Sequence, residues 1–363
     1  MGKWSYSIYV WHWPLVVMGF YFAINDWWLY GIPLSIIIGF ISYQFIEKIN
    51  FKRYNSLKDF YKVIPIYFSL TIFILGFLIN KTNGMIFHYS EELMINLKEV
   101  NNKNDYRCMR GLKDGEIDEC YIGNKHNIQA VIIGDSHANS ILTAVSAIYD
   151  LKKEGLVSIT TSSCPFLIGA KFNDKNNKCQ QINEKRLDLI ESNKYKDIPI
   201  ILASRLPAYI YGQNEPERIK NDNGPSIYFN EKKIDLNQNL LNSLTETICK
   251  IKSNNPVYII QPVPEMPFNV PKSQAKNVLL NLKKPLIFNY SEYLQRSASI
   301  RNMIFESANV CQAQVLDPAE ILCDKISCMY EYNNRAIYFD GDHLSEYGNK
   351  LLVPMFKNAF KEQ

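Results

Sequence analysis

A short apolar run that ends in a glycine constrains the fold of this chain more than any other stretch. Residues 130–133 are apolar and mostly β-branched, which is typical of a buried strand. Gly134 interrupts the run, and Asp135, Ser136 and His137 follow before a helical spacing of apolar residues begins. The order predicts a strand, a tight turn and a helix. Ser136 would then lie at the carboxyl end of a strand, where open α/β sheets place their binding sites and where helix N–H groups favour negative charge.

A second polar motif lies near the carboxyl terminus, after a strand-like run at residues 336–339 and before a final amphipathic stretch. It contains Asp340, Asp342 and His343. A serine nucleophile needs a base, and the base needs a partner that fixes its tautomer. We therefore predict a triad of Ser136, His343 and Asp340, with Asp342 as a less favoured partner. The alternative is that Asp135 and Ser136 only cap a helix and that His343 is an ordinary surface histidine.

Residues 1–80 are strongly apolar and aromatic, in contrast to the polar remainder. Three runs, at about 5–24, 27–46 and 63–79, are long enough to span a bilayer. Basic residues between the second and third runs place that loop in the cytoplasm, and the chain after about residue 80 outside. The alternative, buried helices of a soluble protein, is less favoured for three such runs. A net charge of +4 is too small to indicate a nucleic-acid partner.

All eight cysteines lie after residue 100, in the part that this topology places outside. An even number there indicates disulfides in an oxidising compartment. No C-x2-C pair is present, so we predict no metal site. Other connectivities stay open, but short loops favour four pairs: Cys108–Cys120, Cys164–Cys179, Cys323–Cys328 and, by remainder, Cys249–Cys311.

Short apolar runs alternate with longer amphipathic stretches after residue 128, which indicates a parallel sheet with helices on both faces. The expected fold class is α/β, a three-layer α/β/α sandwich preceded by transmembrane α-helices. The domains would be a membrane segment at 1–80, a periplasmic linker at 81–127 and the sandwich at 128–363. The predicted strands are 130–133, 157–160, 199–203, 257–261 and 314–316, and the predicted helices are 138–153, 180–192, 236–253, 292–308 and 345–361.

Two sets of motifs resemble known families. Gly134-Asp135-Ser136 resembles the GDS of block I in the SGNH (GDSL-like) superfamily, and Asp340 with His343 resembles the D-x-x-H of block V. The stretch S-Y-S-I-Y-V-W-H-W-P at 5–14 resembles the signature near the end of the acyltransferase family 3 membrane domain. That family often carries an extracytoplasmic SGNH domain. The resemblance implies that upstream membrane helices are absent here, so we expect a fragment or a truncated reading frame.

The resemblance also suggests further site residues. Asp135 is expected to order the turn, and His137 either binds substrate or caps the helix. Members of the superfamily usually supply an oxyanion-binding glycine in block II and an asparagine in a block III G-x-N-D, and this chain has neither. Ser163 follows the second strand where the glycine is expected. Arg205 follows the third strand, where it would contribute its charge, its backbone N–H or only a structural ion pair.

The resemblance implies an O-acyltransferase, usually of acetyl groups, that acts on a cell-surface glycan such as lipopolysaccharide O-antigen. No cofactor is expected in this chain; the donor, acetyl-CoA, would be used by the missing acyltransferase helices, which are also an expected partner. A glycan O-acetyl esterase and a non-catalytic glycan-binding module stay open. The implied location is the bacterial inner membrane, multi-pass, with the SGNH domain in the periplasm. Sugar-stacking candidates are Tyr209, Tyr211, Tyr228 and Tyr338.

Overall fold

The computed structural model divides the chain into two compact units, Met1–His88 and Tyr89–Gln363. It describes residues 2–21, 26–49, 64–82, 84, 89–113, 115–174, 176–214, 225–230, 235–282 and 286–361. The first unit contains a 3-10 turn, Gly2–Trp4, and three helices: α1 (Ser5–Tyr21), α2 (Trp27–Ser42), which continues as a π-helical turn at Tyr43–Glu47, and α3 (Ile64–Lys81).

The helices of the first unit are apolar and pack closely where they meet. Gly39 of α2 lies against α1, and a Cβ atom there would come within 2.7 Å of Ile8. Within the described ranges, the run Trp27–Glu47 is long and apolar enough to cross a membrane, whereas the apolar helix Ile66–Lys81 is shorter. Three spans therefore stay a prediction, and most of the basic loop between the second and third runs lies outside the described residues.

A six-stranded sheet forms the centre of the second unit. Its spatial order is β1-β3-β2-β5-β7-β8, in which β1 is antiparallel to β3 and the other neighbours are parallel. All five predicted strands are confirmed as members of this sheet. The strands of the unit are β1 (Cys120–Gly123), β2 (Ile128–Gly134), β3 (Gly155–Thr160), β4 (Lys171–Phe172), β5 (Ile200–Ala203), β6 (Ile227–Tyr228), β7 (Val257–Ile260), β8 (Gln314–Leu316), β9 (Glu331–Tyr332) and β10 (Arg335–Ala336).

Helices cover both faces of the sheet, which confirms the three-layer α/β sandwich. Alternate residues of β2 face opposite layers, because successive side chains of a strand point to opposite sides. Ile132 packs into one cluster with Leu352, whereas Ile133 packs into the other with Leu244. The helices are α4 (Glu91–Glu99), α5 (Ser136–Ser140), α6 (Leu142–Ser146), α7 (Cys179–Glu191), α8 (Leu206–Tyr211), α9 (Leu236–Lys252), α10 (Val270–Leu279), α11 (Tyr290–Cys311), α12 (Ala319–Leu322) and α13 (Glu346–Lys361).

The helix predicted at 138–153 is wrong in its length. The structure has two short helices there, α5 and α6, separated at Ile141 with φ −90° and ψ 1°. Asn349 of α13 donates its side-chain N–H to the Ser140 carbonyl at 2.5 Å, which satisfies an acceptor at the break. The other four predicted helices are present, with ends that shift by up to three residues.

The second unit begins at Tyr89, before the predicted boundary at residue 128. The intervening segment is part of the fold, since β1 adds an edge strand to the sheet and α4 packs on α10 and β10. Glu99 of α4 accepts from Arg335 Nε at 2.6 Å, which joins this segment to the far end of the chain. An edge strand such as β1 is difficult to predict because it has four residues and is defined by its pairing with β3.

Four disulfides connect the eight cysteines, and each predicted pair is confirmed: Cys108–Cys120, Cys164–Cys179, Cys249–Cys311 and Cys323–Cys328. Their sequence separations differ widely. Cys249–Cys311 spans 62 residues and joins α9 to α11, whereas Cys323–Cys328 spans 5 residues within one loop. A cross-link restricts the unfolded chain more when its loop is longer.

We predict that replacing Cys249 and Cys311 together by alanine lowers the free energy of unfolding by about 4 kcal/mol, from the loop-entropy relation. The matched pair of replacements at Cys323 and Cys328 should cost only about 2 kcal/mol by the same relation. Pulse proteolysis of the detergent-solubilised chain across a urea series measures both changes. Equal urea midpoints for the two double variants would contradict the prediction.

Candidate active site

The site lies at the carboxyl edge of the parallel strands. β2 has β3 on one side and β5 on the other, so the order of connections reverses beside it. Such a switch point opens a crevice in which α/β sheets bind ligands. A cavity of about 920 Å³ occupies this edge, and Ser136, Ser163, Arg205, Asp340 and His343 are among the residues that line it.

The turn before Ser136 is held by the side chain of Asp135. Asp135 Oδ1 accepts from the backbone N–H of His137 at 2.8 Å, and Oδ2 accepts from the backbone N–H of Arg205 and the hydroxyl of Tyr209, each at 2.9 Å. The residue before it must be glycine, because a Cβ at Gly134 would lie 1.8 Å from a backbone oxygen of β5. The expectation that Asp135 orders the turn therefore agrees with its contacts.

Ser136, His343 and Asp340 form a chain of hydrogen bonds. Ser136 Oγ lies 2.8 Å from His343 Nε2, and His343 Nδ1 lies 2.9 Å from Asp340 Oδ2. Asp340 Oδ1 also accepts the backbone N–H groups of Asp342 and His343, at 2.9 and 2.8 Å. The carboxylate is thereby fixed in the loop before α13. This arrangement matches the geometry by which a serine hydroxyl transfers its proton to an oriented imidazole.

The interaction between Asp340 and His343 favours the charged form of each, so it shifts their pKa values in opposite directions. Burial raises the pKa of Asp340, but the hydrogen bond and charge of His343 and two backbone hydrogen bonds outweigh it and hold that pKa well below its usual range. Burial lowers the pKa of His343, but the charge of Asp342, and then the hydrogen bond and charge of Asp340, raise it overall. His343 is therefore a stronger base than a free imidazole.

Asp342 is a second carboxylate beside His343, at 3.3 Å from Nδ1 through its Oδ2 atom. The same oxygen lies 3.0 Å from His137 Nε2 and 3.1 Å from Arg205 Nη1. Burial, and then the charge of His343, lower the pKa of His137 to about 3, so this ring is neutral at ordinary pH. A carboxylate only accepts, which assigns the His137 proton to Nε2. The imidazole of His137 thus contacts Asp342 beside the base, and its role in binding substrate or capping the helix stays a prediction.

Arg205 has a structural role that its sequence position left open. Its Nη2 atom lies 2.9 Å from Glu265 Oε2, and the same oxygen lies 3.1 Å from Arg296 Nη2. Its backbone N–H is already bonded to Asp135, which removes it from the candidate oxyanion donors. The side chain is 8% exposed and belongs to a buried ion network at the wall of the cavity. Removing one member of such a network leaves uncompensated charge.

Ser163 is the strongest candidate for a second oxyanion donor. It has a left-handed backbone with φ +55°, although it carries a side chain. Within the described residues its N–H has no hydrogen-bond acceptor, whereas Thr161, Ser162 and Cys164 next to it all donate to backbone carbonyls. A backbone conformation that favours glycine is thus present at Ser163, although this residue is not glycine. Positive φ is uncommon in residues with side chains and often marks functional loops.

The ligating atoms of His137, Asp342 and His343 lie within 4.8 Å of one another. They do not form a suitable metal site, because the Asp342 oxygen already accepts from His137 and faces the Arg205 guanidinium at 3.1 Å. A metal ion bound there would be repelled by the positively charged guanidinium of Arg205. The cluster is better suited to holding and moving protons on His343.

Several contacts of the site were not predicted. The ring of His343 stacks on Phe339, with ring centroids 5.1 Å apart, and lies at a tilt beside His137, with ring centroids 4.6 Å apart. Tyr338 is fully buried and cannot stack on a sugar, and Tyr209 uses its hydroxyl on Asp135. Arg186 was also missed. The buried stripe of α7 includes it, so an arginine at an apolar position of that helix was the available signal.

Comparison with known proteins finds matches for the second unit. The model of the "SGNH domain (fused to AT3 domains)" matches residues 105–358. The periplasmic domain of a lipopolysaccharide acetyltransferase from Salmonella ser. Paratyphi A is similar, with 20% identity, a TM-score of 0.49, and coverage of 65% of this chain and 85% of that one. A carbohydrate acetylesterase from Sinorhizobium meliloti matches with 9% identity, a TM-score of 0.38, and 64% and 97% coverage.

No curated protein sequence matches the chain significantly. The family model nevertheless covers more than half of the chain, including both motifs that contribute to the site. The chain therefore belongs to the family of SGNH domains that are fused to AT3 domains.

Proposed function

We propose that this protein is an O-acyltransferase that carries an acyl group on Ser136 and transfers it to a hydroxyl of a cell-surface glycan. The observation that carries the proposal is the continuous hydrogen-bond chain from Ser136 Oγ through His343 to Asp340 at the wall of the large cavity. His343 takes the proton of Ser136 during acylation and gives it to the leaving group of the acyl donor. It then takes the proton of the acceptor hydroxyl and returns it to Ser136 Oγ as the acyl group leaves. Asp340 keeps the imidazole of His343 in the tautomer that these proton transfers require.

Two backbone donors support the tetrahedral intermediates of both steps. Ser136 is the first residue of α5, where a helix leaves its N–H groups unpaired. The N–H of Ser163 is the second donor. We place the negative charge of each intermediate on these groups, because donors that are already oriented stabilise a developing oxyanion without reorganisation.

The cavity suits an acceptor with many hydroxyl groups. Amide and hydroxyl side chains form much of its wall, and its volume of about 920 Å³ exceeds what an acetyl group alone would occupy. Amide side chains both donate and accept hydrogen bonds, so they can bind a sugar hydroxyl whether it acts as acceptor or as donor. The wall residues of this kind are Asn104, Asn139, Asn173, Asn177, Gln213 and Ser226.

Membership of a family fused to AT3 domains supports transfer over hydrolysis, because a membrane acyltransferase domain would supply the acyl group. We propose acetyl-CoA as its cytoplasmic donor, a bacterial inner membrane as its location, and the periplasm for the SGNH domain. The esterase alternative uses the same triad with water as acceptor.

We predict that the detergent-solubilised chain forms a covalent acetyl adduct on incubation with an aryl acetate, and that Ser136→Ala abolishes it. The reason is that, among the residues that the structure describes, Ser136 is the hydroxyl that contacts His343 Nε2. Intact-protein mass spectrometry measures the adduct. Ser162→Ala is the matched control, because this serine lines the same cavity and should leave the adduct unchanged.

Adding glycan acceptors to the acylated protein distinguishes the two activities. Loss of the adduct that accelerates with acceptor, with an acetylated sugar as product, supports the transferase. Loss to water at a rate independent of acceptor supports the esterase. A folded wild-type chain that forms no adduct would reject both and leave the glycan-binding module.

The acid limb of the pH profile of kcat/KM should shift to lower pH in Asp342→Asn. The negative charge of Asp342 stabilises protonated His343 and raises its pKa, so removing that charge lowers the pKa and leaves the base neutral in more acidic solution. Steady-state hydrolysis of an aryl acetate across pH measures the limb. Asp174→Asn removes a carboxylate that lines the cavity without contacting His343, and its limb should stay in place. A shift to higher pH in Asp342→Asn would contradict the assignment.

A further inference from the structure

One face of helix α7 holds the loop that carries Ser163. Cys179, Asn183 and Arg186 recur on that face at helical spacing, and all three are buried. Cys179 is bonded to Cys164, and Asn183 Nδ2 donates to the Pro165 carbonyl at 2.9 Å. The loop is therefore attached to α7 immediately after Ser163.

Arg186 extends this attachment to the nucleophile strand. Its Nη2 atom donates to the Gly134 carbonyl at 2.8 Å and to the Ile159 carbonyl at 3.2 Å. Its Nη1 atom donates to the Cys164 carbonyl at 3.0 Å and to Asn183 Oδ1 at 2.9 Å. One guanidinium thus bonds the end of β2, the end of β3 and the loop after β3, which are the segments that present Ser136 and Ser163.

The charge of Arg186 is unusual for a fully buried side chain. Its hydrogen bonds go to carbonyl and amide oxygens, and in the part of the chain that the structure describes none goes to a carboxylate. Burial lowers the pKa of Arg186 to about 10, which still leaves it cationic at neutral pH. Burying a cation without a direct ion pair is costly, and its carbonyl partners must compensate.

We propose that Arg186 is a positioning residue that fixes the separation of two oxyanion donors, the N–H groups of Ser136 and Ser163. The inference rests on the acyl-serine chemistry proposed above and deepens it. A planar guanidinium bonds several carbonyls in fixed directions, which an ammonium group cannot do. Gly134 lies two residues before Ser136 and Cys164 one residue after Ser163. Holding both carbonyls therefore restrains the backbone one peptide unit before the Ser136 N–H and two peptide units after the Ser163 N–H.

The activity of each folded molecule distinguishes a positioning role of Arg186 from a purely structural one. If Arg186 only stabilises the fold, a variant loses activity in proportion to its loss of folded protein, and each remaining folded molecule works at the wild-type rate. If Arg186 positions the donors, folded molecules lose kcat while KM for the ground-state substrate changes little, because the donors act on the tetrahedral state.

The test compares Arg186→Lys and Arg186→Met with Arg301→Met in the full chain in detergent. Arg301 of α11 is the matched control, since it forms a two-pronged ion pair with Asp317 and lies outside the cavity lining. Aryl acetate turnover is divided by the amount of Ser136 that a fluorophosphonate labels to completion. We expect kcat per labelled site to fall roughly 10²-fold in Arg186→Met, as for loss of an oxyanion donor, with Arg186→Lys between it and wild type.

Affinity for a boronic acid gives an independent readout, because its tetrahedral adduct with Ser136 places an oxygen where the oxyanion forms. That affinity should fall with kcat in the Arg186 variants and stay unchanged in Arg301→Met. Wild-type kcat per labelled site in Arg186→Met, or a loss equal to that of Arg301→Met, would overturn the proposal.

Asn183→Ala keeps the inference testable if Arg186→Met does not fold. It removes the hydrogen bonds to the Pro165 and Leu167 carbonyls and to Arg186 without removing the buried charge. We expect a smaller fall in kcat and in boronate affinity, and no change in either would count against the positioning role. A wild-type chain that forms no acyl adduct would instead reject the proposed function, so the two failures are distinguishable.

Discussion

Opposite charges fix the turn between Gly134 and Ser136, and the remainder of the site depends on this turn. The carboxylate of Asp135 accepts N–H groups from the following turn and from Arg205, while the guanidinium of Arg186 donates to carbonyls of Gly134, Ile159 and Cys164. Neither group needs a direct ion pair, because oriented peptide dipoles take that role. Such dipoles are already in place before a reaction begins, which is the condition for effective electrostatic stabilisation.

The imidazole of His343 is also fixed by several contacts. Asp340 fixes its Nδ1 atom, Phe339 stacks on its ring, the tilted ring of His137 lies beside it, and Asp342 adds a second negative charge at 3.3 Å. Two carboxylates raise the basicity of the ring, but they also keep it protonated to higher pH. Arg205 opposes this second effect, because its own charge lowers the pKa of His343. The buried ion network thus balances basicity against availability of the neutral base.

The sequence predicted those features that depend on a local stretch of the chain. The strand at 130–133 was visible because each residue is buried on one face or the other, and the four disulfides follow from short loops and from elimination. Contacts between distant segments were not accessible in this way. The break at Ile141 depends partly on Asn349 from α13, and the edge strand β1 depends on β3. Arg186 is the clearest case, since its partners come from three separate strands and loops.

In the proposed function, the cavity would decide between water and a sugar hydroxyl, because the same three residues could activate either acceptor. Transfer requires that an acceptor hydroxyl reach His343 Nε2 more often than water does, so binding energy from the remote parts of the glycan must hold it there. The amide-rich wall offers such contacts. Lys103, whose Nζ lies 4.5 Å above the ring of Phe339, places a positive charge beside the same histidine. In the proposed function, this wall would order a polyhydroxylated acceptor at the base, which is the physical requirement that separates a transferase from an esterase on one fold.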